Sequence, residues 1–434
     1  MHPSSRSFSL TLHIFSRIHR IWQNTLPPSV AAELCSSSRI QVLDGDVCKK
    51  NFGLDQDSAT SLQKTIKVVI HAASSINLEH NLAWLAPIII QGTLNAAEFA
   101  LGCKSLDRFV YISTAYANSY LHYLETSTVP HIYERIHSLR KGIDPYLDVE
   151  EEWLDLQESG TTPQYETTPF PFAYAYAKHL TERLLVNRFG TDDATSQRSG
   201  SSSASSSSAT LSPIPPGPSN APKLLIIRPS IIGPAESPPA PGWQIATSAP
   251  VTCLLAFFLL TPATRLTFYS ALSRPNNDAI IDEVPVDIVF NRIIWHTAAG
   301  TSGIVHANRE LALCHSFGTY VRSIQKLRRL PWDSRVVWEK DAASAKLCKI
   351  STLYQISGCT FDFDDSDTRS VWAAMTRKDR QAFPLFAAQK YGIVDGNRID
   401  PDLSSRDEAL RKLCAMYFER KQWPKWMLPL FYSM

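Results

Sequence analysis

Three short runs restrict the architectures open to this chain. Lys67-Val68-Val69-Ile70-His71-Ala72-Ala73-Ser74, Arg108-Phe109-Val110-Tyr111-Ile112 and Lys223-Leu224-Leu225-Ile226-Ile227 are rich in β-branched, aliphatic and aromatic residues, as in buried strands. Between the first two, Leu82 to Leu101 reads as a helix; between the second and third, so does Phe172 to Arg188, as an amphipathic one. Strands alternating with helices predict an α/β fold with a parallel sheet, whose ligand crevice lies outside the carboxyl ends of the strands. Each run ends in residues suited to that edge. Ala72 and Ala73 are small enough for a ligand to approach the backbone, Ser113 and Thr114 offer hydroxyls, and Pro229-Ser230 follows the third run where proline stops the ladder.

The helix at Phe172 opens with Tyr174-Ala175-Tyr176-Ala177-Lys178, which sets Tyr174 and Lys178 four apart on one face. A phenol titrates near ~10, and a neighbouring ammonium favours its ionised form, so the pair suits proton transfer to a substrate. A second Tyr-x-x-x-Lys, Tyr417 to Lys421, lacks the flanking strands and reads as a coincidence of spacing.

Strand with hydroxyl, helix with Tyr and Lys, strand with Arg-Pro-Ser: this order resembles the extended short-chain dehydrogenase/reductases. Ser113-Thr114-Ala115-Tyr116-Ala117-Asn118, Arg228-Pro229-Ser230-Ile231-Ile232-Gly233-Pro234 and Pro241-Gly242-Trp243 resemble its fatty acyl-CoA reductase, or male-sterility, branch. The resemblance implies a Rossmann-like parallel sheet with a C-terminal helical region. It also implies NADPH as cofactor and a long-chain acyl-CoA thioester, reduced to aldehyde and alcohol, as substrate. Thr114, Tyr174 and Lys178 take the catalytic positions, with Ser113 a weaker candidate. The cofactor is expected against Asp46, Ala72, Ala73, Tyr174, Lys178, Pro229 and Ser230. Asp46 enters because Ile40 to Leu43 reads as a strand followed by Asp44-Gly45-Asp46.

Two departures stand out. There is no Gly-x-x-Gly-x-x-Gly near the start, so the sheet is expected to be incomplete at its N-terminus, and Ile89 stands where the family has an asparagine. The missing turn favours a rival reading, a non-catalytic remnant acting as a binding or scaffold protein. A second rival is another extended reductase acting on a carrier-bound thioester, a flavonoid ketone or a sterol.

With 434 residues the chain is divided here into a reductase domain over 1–340 and a helical domain over 341–434. Within the first, the Ser- and Pro-rich stretch 191–222 is expected to be a disordered loop. Ile280 to Asp287 leads into a helix over Ile288 to Ala299, with Asp287 as its expected N-cap. Phe8 to Trp22 has helical spacing, and Asp148 to Glu152 reads as a solvated acidic face. His131 and His137 read as ordinary surface residues. Forty-three basic against 41 acidic residues leave a net charge of +2, with no field for nucleic acid or anionic lipid. Eight scattered cysteines show no metal-ligand spacing and fit a reducing intracellular compartment, the cytoplasm or the cytosolic face of a lipid-handling organelle. No stretch reaches the ~20 apolar residues of a membrane span. Val251 to Leu260 comes nearest and reads as buried or as part of an acyl-chain pocket; peripheral membrane contact stays open.

Overall fold

The structure is a computed structural model and describes residues 18–124, 129–190, 223–387, 393–394, 397–398, 401 and 403–432. At its centre is a four-stranded parallel sheet in the order β1 (Val68–His71), β2 (Arg108–Ile112), β3 (Lys223–Pro229), β4 (Gly303–Ala307). All four point the same way, so Ala72, Ser113, Ser230 and Asn308 leave the sheet at one carboxyl edge. Alternate residues divide into two cores, as a period of two requires. Phe109, Tyr111, Leu224 and Ile226 pack on one face against Ala96, Phe99 and Leu185. Val110, Leu225, Ile227 and Val305 pack on the other against Val284, Ile288 and Val289.

Helix α1 runs from Leu82–Ala86 through a π turn at Pro87–Gln91 into Gly92–Leu101. Helix α2, Ala173–Phe189, is buried on nearly every face rather than amphipathic. The cause is the long connection between β2 and α2, which folds over its outer side. Glu152, inside the acidic run, is 1% exposed and pairs with Arg183 at 2.8 Å, and it also accepts from the Tyr176 phenol. That run is therefore not wholly a solvated face. Within the same connection Tyr120 donates to Ser138 O at 2.9 Å, and the His179 ring meets His137 O at 3.0 Å. His131 is exposed and bonds Asp362 at 2.7 Å, while the His137 ring is half-buried and accepts from Tyr133 N.

Several expectations are corrected. Ile40 to Leu43 forms no strand; the following turn rests instead on α1, where Asn95 donates to Val47 O at 2.9 Å. Gly92 permits this, since a Cβ there would lie 3.2 Å from a Val47 methyl. Helix α4, Val286–Ala299, begins two residues earlier than expected, with Pro285 at its N-cap. Asp287 faces outward from that turn and accepts from Glu236 N and Ser237 N at 3.0 and 2.9 Å. Residues 18–25 are helical, while the rest of the expected N-terminal helix and the whole of 191–222 lie outside the described residues.

Helix α3, Pro250–Leu260, is the apolar segment noted above, and it lies in a core. It packs with α5, Phe317–Leu327, and with α6, Asp407–Arg420, so residues 403–432 share one cluster with 251–324. The strand Arg265–Tyr269 pairs in parallel with Arg335–Glu339, and Ile231–Gly233 with Glu283–Pro285. His131–Ile132 pairs with Asp362–Phe363, tying the long connection to the C-terminal region. No helix among the described residues is long and apolar enough to cross a membrane.

Candidate active site

Thr114 stands immediately beyond β2 as N-cap of a short 3-10 turn, Ala115–Asn118, and its hydroxyl accepts from Tyr116 N at 3.3 Å. The first turn of α2 brings Tyr174 near it, close enough for the Thr114 hydroxyl to pull the phenol's titration down. One turn further on, Lys178 is 1% exposed and donates to Ile112 O at 2.9 Å. Its ammonium lies 4.7 Å from the centroid of the Tyr111 ring and 5.9 Å from that of Tyr174. The three residues therefore converge at the carboxyl edge of β2. A carbonyl oxygen set against Thr114 and Tyr174 would meet two O–H groups.

The electrostatics differ from the simple expectation. Burial pushes the Tyr174 phenol well above its ordinary range, and only the Thr114 hydroxyl pulls it down. Burial also lowers Lys178 to about 7, with Glu182 opposing. The ammonium faces the tyrosine ring and a backbone carbonyl rather than the phenol oxygen, so the lowering expected of Tyr174 does not arise. Glu182 occupies the next turn of the same helix face. It is fully buried and holds Arg228 of β3 through Nε–Oε1 at 2.9 Å and Nη2–Oε2 at 2.5 Å. Arg228 in turn donates to Arg135 O at 3.0 Å. Beside Lys178, His71 is buried against Thr93 at 3.1 Å and lowered to about 4, by burial first and by the Lys178 charge second. Thr93 donates back to Ile89 O at 2.6 Å.

The other candidate residues spread along the edge. Ala72 and Ala73 are exposed just past β1. Ser113 is buried, and its hydroxyl finds no partner among the described residues. Pro229 closes β3, and Ser230 donates to Asp282 at 2.7 Å. Asp46 lies on an exposed turn, where its carboxylate accepts from Cys48 N at 3.0 Å; no hydrogen bond joins it to the other candidates among the described residues. None of the eight cysteines is in a disulfide, and the described residues hold no group of three or more potential metal ligands.

With this geometry in hand, comparison with known proteins is informative. Residues 11–198 match the sequence model of a family described as male sterility protein. The sequence is also similar to fatty acyl-CoA reductases. It is 24% identical over 292 residues to fatty acyl-CoA reductase 2 of Mus musculus, covering 65% of this chain and 46% of the relative. It is 32% identical over 97 residues to the chloroplastic fatty acyl-CoA reductase 2 of Arabidopsis thaliana, 22% of this chain and 16% of that one. The chain thus spans less than half the length of these relatives. Among solved structures, the reductase domain of a non-ribosomal peptide synthetase from Mycobacterium tuberculosis shares the fold. The TM-score is 0.51 at 15% identity, over 92% of this chain and 82% of that one.

Glu182 and Asp282 are not singled out by the sequence. Glu182 carried a usable signal, since 174, 178 and 182 repeat at one helical interval and would share a face. Arg228 was in view as part of Arg-Pro-Ser, but nothing local pairs it with a carboxylate 46 residues away. Asp282 meets Ser230 only through tertiary packing, 52 residues apart.

Proposed function

We propose that this chain is a fatty acyl-CoA reductase-like enzyme, reducing a long-chain acyl-CoA thioester to the aldehyde and on to the alcohol with NADPH. The observation that carries the reading is the meeting of Thr114, Tyr174 and Lys178 beside exposed Ala72 and Ala73 at one sheet edge. These residues suit the nicotinamide and ribose half of such a cofactor: two methyl-bearing residues leave room against the backbone, and Lys178 is poised for ribose hydroxyls. The pyrophosphate half is served by no Gly-x-x-Gly-x-x-Gly in the sequence. A bound reduced nicotinamide supplies hydride to a carbonyl carbon.

The chain's own groups do the rest. Thr114 donates a hydrogen bond to the carbonyl oxygen and fixes its place. Tyr174 donates a second and passes its proton as negative charge grows there. Collapse of the thioester adduct expels the CoA thiol, and a second round takes the aldehyde to the alcohol. Burial lowers Lys178 to about 7, with Glu182 opposing, so it exchanges a proton near neutral pH and is suited to pass one on to the tyrosine. Pro229 and Ser230 border the crevice, and Asp46 belongs to the cofactor side in the family pattern. Eight free thiols support a reducing compartment, on the cytosolic face of a lipid-handling organelle or in the cytoplasm.

Titration of the purified chain with NADPH, followed by nicotinamide fluorescence, separates this from a binding remnant. Saturable binding with turnover of palmitoyl-CoA is expected, and Tyr174→Phe should cut turnover by roughly 10²–10⁴ while leaving NADPH binding in place. No fluorescence change at large excess of NADPH would favour the remnant, and unchanged turnover in Tyr174→Phe would remove the tyrosine from the chemistry.

A further inference from the structure

Two cavities lie side by side beyond the carboxyl edge of the sheet. The smaller, about 260 Å³, is bordered by Gly233, Glu283, Arg309, His315, Tyr320 and Arg406. Gly233 follows shortly after β3, and Arg309 comes two residues after β4 ends, so this cavity belongs to the edge that carries Thr114. Tyr116 links the two places. It lies two residues after Thr114 and packs in one apolar cluster with Ile231, two residues before Gly233. The ionic wall is balanced internally: Arg406 donates to Glu283 at 3.0 Å, and Tyr320 donates to the same carboxylate at 3.0 Å.

The larger cavity, about 970 Å³, is a groove between residues 24–27, the loop 240–247 and one face of α6. Its volume is at the upper end of the ~300–1,000 Å³ range of ligand pockets. Pro241, Gly242, Ser404 and Ser405 border both cavities, so the two adjoin. The close approach at that wall depends on Gly242, whose φ is +76° and where a Cβ would sit 2.5 Å from Ser405 O. The lining is mixed: Leu26, Trp243, Ile245 and Met416 stand beside Glu408, Lys412 and Glu419. Ile245 and Met416 are 45% and 49% exposed, a large apolar exposure gathered in one concavity. Two of the α6 charges that line it, Lys412 and Glu408, pair with each other at 2.7 Å. The most apolar helix, α3, is committed to a core and does not border the groove.

We propose that this groove takes the hydrocarbon tail of the acyl thioester, which passes from Thr114 and Tyr174 through the smaller cavity and comes to rest between loop 240–247 and α6. The assignment rests on the acyl-CoA reading above and names where that substrate lies. A long flexible chain matches a wide groove in which Ile245 and Met416 expose an apolar stretch, entered through a narrower polar neck. The groove would then set chain-length preference.

Photolabelling the full-length chain tests this. Palmitoyl-CoA with a diazirine at the chain terminus is cross-linked with and without excess palmitoyl-CoA, and the labelled peptides are mapped by mass spectrometry. Saturable label is expected on peptides covering 240–247 and 408–419. Met416→Glu and Ile245→Glu, both at exposed positions, should each weaken palmitoyl-CoA binding about tenfold or more while changing hexanoyl-CoA binding little. Saturable label confined to other peptides, or equal loss for both chain lengths, overturns the groove and leaves the acyl-CoA reading standing. Absence of saturable label anywhere overturns both.

Discussion

Asp282 concentrates two hydrogen bonds on one carboxylate oxygen, from the Ser230 hydroxyl at 2.7 Å and Arg309 N at 2.9 Å. Burial raises it from 3.8 to about 6 against the pull of those bonds. Since the folded chain holds this proton more tightly than the unfolded one, its contribution to stability is complete below 3.8 and is lost as pH rises through about 6. Above that range the fold carries a buried charge. Asp282→Asn keeps the accepting oxygen and removes the charge, so thermal unfolding should show the variant more stable by about 1–3 kcal/mol near pH 8 and equal to the parent near pH 4. A lower melting temperature near pH 8 would mean that the charge is needed by Arg309 or Arg292. Lys178 follows the opposite rule. Burial lowers its ammonium to about 7, and Glu182, rather than the phenol, is the group that opposes this.

Helix α2 serves two purposes because of what covers it. Its inner face presents Tyr174, Lys178 and Glu182 to the sheet edge, while its outer face is closed by the connection from β2 through Glu152, Thr162 and Pro145. Arg183 donates to Glu152 at 2.9 Å with both side chains almost wholly buried, so removal of one partner strands the other. Glu152→Ala should destabilise the chain by about 3–5 kcal/mol, whereas Glu152→Leu with Arg183→Met should recover most of the loss, because a matched apolar pair strands no charge. Chemical denaturation of the single and double variants measures this. Equal losses in the two would show that the pair contributes more than mutual neutralisation.

At the scale of the molecule, α3, α5 and α6 form one apolar cluster with Phe418, Phe431 and Tyr432 at its far side. Each large side chain buried there contributes ~1.5–3 kcal/mol relative to exposure. A chain ending before Leu403 would uncover that face of α3, and is expected to lose cooperative thermal unfolding and to aggregate; a sharp melt at the parent temperature would show that the remainder folds alone. What the residues determine by themselves is whatever depends on near neighbours. The apolar-rich runs announce the strands, alternation within them yields two cores, and a four-residue interval aligns Tyr174, Lys178 and Glu182. Pairings across long stretches of chain leave no such periodic mark. Glu152 looked solvated because its acidic neighbours are, Ile40 to Leu43 looked like a strand because nothing nearby forbids one, and α6 gives no hint that one of its faces will meet a tryptophan loop. Those outcomes were decided by tertiary packing, since burial, charge compensation and the shape of a groove depend on which distant segments come together.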